Sequence, residues 1–265
     1  MKRRAFLAGL TLLAALPLLA HADEPDLSIG IYPGTGTADM FREDFRDLTK
    51  PFANALAGAV GRKGSLIMFR TLKSINRSLD NGRMDLYFAP PTVAVAAIDK
   101  GYTPIARVKD LLGIVLVRRK GATVTSIALT EKQSLPDVLG RHVLKQKNES
   151  ATIFNVKTQQ DVILALERDY AQAGGLGPKP AKALLEKGKY EVWYRLPISP
   201  GFTLVASNHL SEGDKNKIRA AIESLSPEII AKLQKAIIAK VGSFVDEKGA
   251  DYKTLELSMK EAGYI

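Results

Sequence analysis

The sequence predicts an α/β protein of two lobes, with mainly parallel sheets covered by helices and two crossover strands acting as a hinge. Three observations lead there. Short apolar runs alternate with amphipathic stretches from Leu27 onward, and the connections are short, as in strand–helix–strand units. The 265 residues contain no internal repeat, low-complexity tract or long linker, so two lobes must be joined by strands. The composition, 46% hydrophobic and 25% charged, is that of a packed globular protein and excludes a disordered, collagen-like or coiled-coil chain.

The first 22 residues read as an address. Lys2, Arg3 and Arg4 precede an uncharged apolar run from Ala5 to Leu19, followed by Ala20-His21-Ala22. A basic start, a short apolar run and a small-x-small site predict a cleaved signal peptide over 1–22 and a periplasmic or exported protein. Arg3-Arg4-Ala5-Phe6-Leu7 also resembles the twin-arginine export signature. Removing the address takes three of the 38 Lys+Arg and none of the 28 Asp+Glu, so the net charge falls from +10 to +7.

The remaining elements follow from periodicity. Leu27 to Tyr32 reads as a buried strand, then Pro33 to Thr37 as a loop. A helix begins near Ala38, and Pro51 opens its second half. Ser65 to Arg70 is a strand; Leu72, Ile75 and Leu79 mark one face of a helix that stops at Asn81-Gly82. Asp85 to Ala89 is a third strand, and Thr92 to Lys100 a helix closed by Gly101. Pro104 to Val108, Gly113 to Arg118 and Ala151 to Val156 are strands. Thr158 and Asp161 cap a helix to Arg168, and Pro178 opens another to Lys187, with Gly188 after its end. Gly174 to Pro178 reads as a flexible turn, and the stretch between Gly121 and Leu135 as a shortened part of the second lobe. Tyr190 to Arg195 and Phe202 to Ala206 are strands, followed by a helix capped by Ser211 with Asp214 and, after Ser226-Pro227, a further helical pattern. The chain crosses outward near Gly113 to Lys120 and back near Leu196 to Val205. That places the first lobe at 23–117 plus 199–265, and the second at 118–198.

No catalytic constellation is present. The sequence has no G-x-S-x-G elbow, H-E-x-x-H pair or P-loop. The absence of cysteine excludes disulfides, thiolate metal sites, thiol nucleophiles and a cysteine-linked lipid anchor. His142 and His209 lack ligand-spaced neighbours and read as exposed side chains. Gly34-Thr35-Gly36 lacks the third glycine of a dinucleotide site. The basic residues are dispersed among acids, which argues against nucleic acid. The chemistry left lies at the carboxyl ends of strands, where open α/β sheets bind ligands. Thr35, Thr37, Arg70, Thr71, Thr92, Thr158 and Gln159 stand there, each beside a helix start whose dipole favours an anion.

Several blocks resemble the type II periplasmic solute-binding proteins of ABC transporters, in the phosphate/phosphite/phosphonate-binding branch. They are Leu27-Ser28-Ile29-Gly30-Ile31-Tyr32-Pro33, Pro51-Phe52-Ala53-Asn54-Ala55-Leu56, Ser78 to Pro91 around Asp85-Leu86, and Leu196 to Phe202. The resemblance implies a two-lobe fold that binds a small anion between the lobes, no enzymatic activity, no cofactor, a monomer, and a membrane permease as partner. It adds Ser134 to the ligand residues, as the remnant of the family's S-T-S-G cradle. It also marks departures: Leu72 for an aromatic, Gln159 for a histidine and Gln172 for an acid. A periplasmic sensory or accessory protein on the same scaffold is the alternative reading.

Overall fold

The computed structural model describes residues 25–34, 40–246 and 252–265. The predicted signal peptide, Thr35 and Thr37 lie outside them. The first lobe starts with β1 (Leu27–Ile31), α1 (Arg42–Ala59), β2 (Gly64–Met68), α2 (Leu72–Asp80), β3 (Leu86–Ala89), α3 (Pro91–Asp99) and β4 (Thr103–Val108). β1 runs parallel to both β2 and β3. Asp85 fixes this pairing, because its carboxylate accepts the Ser28 N–H and hydroxyl, both at 2.8 Å. Phe45, Phe52 and Leu56 bury one face of α1, and Leu72, Ile75 and Leu79 one face of α2.

The second lobe comprises β5 (Val115–Arg119), β6 (Ser126–Leu129), α4 (Leu135–Gln146), β7 (Thr152–Asn155), α5 (Gln159–Glu167), β8 (Ala173–Leu176), α6 (Pro178–Leu185) and β9 (Tyr190–Arg195). The chain then returns through β10 (Thr203–Ala206), α7 (Glu212–Glu223), α8 (Pro227–Ala236), β11 (Phe244–Asp246) and α9 (Lys253–Glu261). The two sheets have the orders β11-β4-β10-β3-β1-β2 and β7-β6-β8-β5-β9. Each is mixed. A parallel set of three strands carries the crossover helices, while β10 in one sheet and β5 in the other run antiparallel to their neighbours.

Two features of the second lobe depart from the sequence reading. The stretch read as a shortened segment contains β6 and leads into α4. The glycine run read as a turn is β8, a buried interior strand. Its glycines are there for close packing. A Cβ on Gly174 would stand 2.5 Å from Val162 of α5, and one on Gly175 2.7 Å from Leu129 of β6. Glycine thus lets side chains from both layers rest on this strand.

The chain passes between the sheets twice, at 109–114 and 196–202. These segments pair with each other: Leu112 and Ser199 exchange two backbone hydrogen bonds of 2.9 Å, and the Leu196 N–H donates to the Ile114 carbonyl at 3.0 Å. A third connection comes from the C-terminal segment. The Tyr252 and Thr203 hydroxyls meet at 2.7 Å on β10, and α9 packs against α3. Its far end reaches α4, where Glu261 meets His142 at 2.8 Å and the Tyr264 hydroxyl donates to Asp137 at 2.6 Å. The C-terminal stretch expected in the first lobe therefore contacts the second as well. An apolar cluster crosses the same boundary, from Ile75 and Tyr87 to Leu129 and Val138.

Candidate functional site: the cleft between the lobes

A cleft of about 670 Å³ opens between the two sheets, beside the paired crossover segments. The ends of β1 and β3 and the start of α3 form one wall; the starts of α4, α5 and α6 form the other. Three of these helices begin with proline in the first turn: Pro91 in α3, Pro136 in α4, and Pro178 in α6. Proline fits there because its missing N–H would be unpaired in the helix anyway. For a ligand site the same choice removes donors, so side chains carry more of the polar contact.

Thr92, Ser134 and Gln159 line this cleft together. The Thr92 hydroxyl is buried, with the residue 2% exposed, and has no hydrogen-bond partner among the described residues. A buried hydroxyl left unpaired costs about 1–3 kcal/mol. Ser134 is the N-cap of α4 but makes no cap hydrogen bond with its side chain. Its oxygen lies 2.8 Å from the Thr130 hydroxyl, and when Thr130 donates, Ser134 keeps its own hydrogen for the cleft. Gln159 is oriented by the Gly177 N–H, which donates to its carbonyl oxygen at 2.8 Å. That leaves the amide NH2 as its donor. Among the described residues of the lining the lysines are Lys179 and Lys240, both exposed.

The next contact was not visible in the sequence. Glu131, just after β6, crosses from the second lobe to the first. Its carboxylate accepts the Tyr32 hydroxyl and the Leu72 N–H at the start of α2, each at 3.2 Å. A carboxylate at a helix N-terminus is well placed electrostatically. Desolvation by burial raises the Glu131 pKa, against the lowering effect of those two hydrogen bonds. Burial, with the Glu131 charge adding to it, also raises the Tyr32 pKa. The α2 terminus and the Tyr32 hydroxyl thus hold an anion from the chain itself.

The other expected residues stand elsewhere. Arg70 is exposed and donates to the Met40 carbonyl at 3.5 Å. The Thr71 side chain caps α2 through Ser74, and Thr158 caps α5 through Asp161. These three do not line the cleft, because their polar atoms complete local caps or face solvent. Gln172 is likewise committed, accepting from the backbone and hydroxyls of Thr125 and Ser126 at the start of β6. His142, expected at the surface, is 5% exposed, because α9 covers it and Glu261 and Gln146 engage both its ring nitrogens. Among the described residues no group of three or more His, Asp or Glu could hold a metal ion.

Solved structures share this architecture. A Xanthomonas citri protein bound to ATP superposes with a TM-score of 0.71 at 14% identity, over 89% of this chain and 98% of that one. PhnD1 from Prochlorococcus marinus, solved with methylphosphonate, gives 0.68 at 14% identity, over 90% and 98%. A binding-protein component of a phosphonate ABC transporter from Pseudomonas aeruginosa gives 0.61 at 16%, over 91% and 87%. At these identities the likeness shows the fold, that of the type II periplasmic binding proteins. No curated protein sequence matches. The family model of the periplasmic substrate-binding proteins of phosphonate ABC transporters matches residues 37–252, and on that match the chain belongs to this family of binding proteins rather than enzymes.

Proposed function

We propose that this protein captures a phosphorus oxyanion, a phosphonate in the first instance, in the cleft between its lobes. It then presents the closed, loaded form to a membrane permease. The observation that carries the reading is the Thr92 hydroxyl, buried without a partner in the interlobe cleft. An oxyanion oxygen placed there would accept from Thr92, while the Ser134 hydroxyl and the Gln159 amide donate from the opposite lobe. Contacts from both walls favour closure, since only the closed cleft makes them all. The starts of α3, α4 and α6 add a favourable field, about 0.3–1 kcal/mol each when exposed and up to about 2 when partly buried. Lys179 and Lys240 draw the anion in without being buried beside it.

The paired segments at 109–114 and 196–202 serve as the hinge. Residues 1–22 direct export and are removed, and the mature chain works as a monomer. Neighbours of the same fold hold methylphosphonate and ATP, both phosphorus oxyanions. Titration calorimetry of the mature chain with methylphosphonate, phosphate, sulfate and ATP tests the reading. Saturable binding of a phosphorus oxyanion, weakened about tenfold by Thr92→Val, is expected; no heat with any ligand at millimolar concentration contradicts it.

A further inference from the structure

The cleft is larger and more apolar than an oxyanion alone would require. We infer that its ligand is an oxyanion headgroup carried on an apolar body, such as an aryl or longer alkyl phosphonate. This rests on the phosphonate reading above and narrows it. Three observations support the narrower class. The volume of about 670 Å³ falls within the range of roughly 300–1,000 Å³ that suits drug-sized molecules, far beyond the needs of a headgroup. The polar atoms named above sit on the starts of α3, α4 and α5, whereas Leu72, Leu112, Ile114, Phe202 and Ile238 line the remainder. Prolines at the starts of α3, α4 and α6 further reduce the donors available along that lining.

The third observation is exposure. Leu111, 58% exposed, and Ile238, 42% exposed, both line the cleft. Both continue the apolar lining of the cleft outward, so a ligand seated there would cover them. An apolar body would bury them, and the headgroup would reach the unpartnered Thr92 hydroxyl. A compact, fully hydrated anion such as phosphate would leave this lining wet.

Calorimetry with methylphosphonate and phenylphosphonate tests the inference on the intact mature chain. A ring that buries on the order of 100 Å² of added apolar surface raises affinity at least about tenfold. Phenylphosphonate is therefore expected to bind at least about tenfold more tightly than methylphosphonate. Leu111→Ser and Ile238→Ser change exposed side chains, so the fold should tolerate them. Each should cut the phenylphosphonate affinity several-fold while changing the methylphosphonate affinity less than about twofold. Equal or tighter binding of methylphosphonate overturns the inference and leaves the phosphonate reading standing. Binding of neither compound overturns the inference, and the proposed function falls with it when phosphate and ATP give no heat either.

Discussion

At the residue scale, the proposed site rests on hydroxyls and an amide rather than on a buried cation, and this makes Thr92 unusually testable. Thr92→Val keeps the shape of the side chain and removes an unpartnered hydroxyl. Folding stability should then hold or rise, by up to about 1 kcal/mol, while phosphonate affinity drops about tenfold. Urea denaturation and calorimetry on the same variant check the two opposite signs. Glu131 gives a second test. Its pKa is raised in the folded protein, so the native state binds more protons than the unfolded chain in the window above the ordinary carboxylate value. Its contribution to stability is therefore complete below the unfolded pKa and is lost as the pH rises through the folded one. Glu131→Gln should remove that part of the pH dependence of the urea midpoint, measured between about pH 4 and 7. Sequence reasoning named Thr92, Ser134 and Gln159, which line the cleft, because each stands next to a helix start with a polar, hydrogen-bonding side chain. It missed Glu131, whose partners are 59 and 99 residues away in the chain and leave no local pattern. It also named Arg70, Thr71 and Thr158, which do not line the cleft: Thr71 and Thr158 cap helices, and a capping side chain and a ligand-binding one look alike in sequence, while Arg70 is exposed.

At the scale of elements, strands rich in β-branched or aromatic residues were readable, and Tyr190 to Arg195 matches β9 residue for residue. β8 was not, because Ala-Gly-Gly-Leu carries the composition of a turn while serving as a packed interior strand. Gly175→Ala should cost about 1–3 kcal/mol, read as a lowered urea midpoint, since the added methyl would meet Leu129 at 2.7 Å. The C-terminal helix was likewise opaque. Besides α3 it packs on α4, and a histidine or tyrosine gives no sign in sequence of what will cover it. Asp137 is fully buried, and its carboxylate accepts from the Gln133 N–H, Arg141, Asn155 and Tyr264. A buried carboxylate needs such donors. Burial, with Asp137 adjacent, pushes the Tyr264 hydroxyl up to about 12, so it remains a donor across the physiological range. Tyr264→Phe should cost about 1–3 kcal/mol in the same denaturation assay.

At the scale of the whole molecule, two mixed sheets are linked by paired crossover segments, by α9 and by an apolar cluster that spans both lobes. With no cysteine in the chain, packing and hydrogen bonds must supply all of that cohesion. The alternation of strands and helices made the α/β class readable. The antiparallel return strands, which make both sheets mixed, were not, because pairing direction depends on contacts distant in sequence. A ligand that closes the cleft stabilises the molecule as one unit. At 100 times its dissociation constant it should contribute about 2.7 kcal/mol, raising the melting temperature by roughly 5–10 °C. The most direct test of the account is a crystal structure of the mature chain with methylphosphonate. The account predicts the phosphonate group between the lobes, with one oxygen within hydrogen-bonding distance of the Thr92 hydroxyl and others facing Ser134 and Gln159. A phosphonate bound outside this cleft, or bound within it with the Thr92 hydroxyl still unpaired, would contradict it.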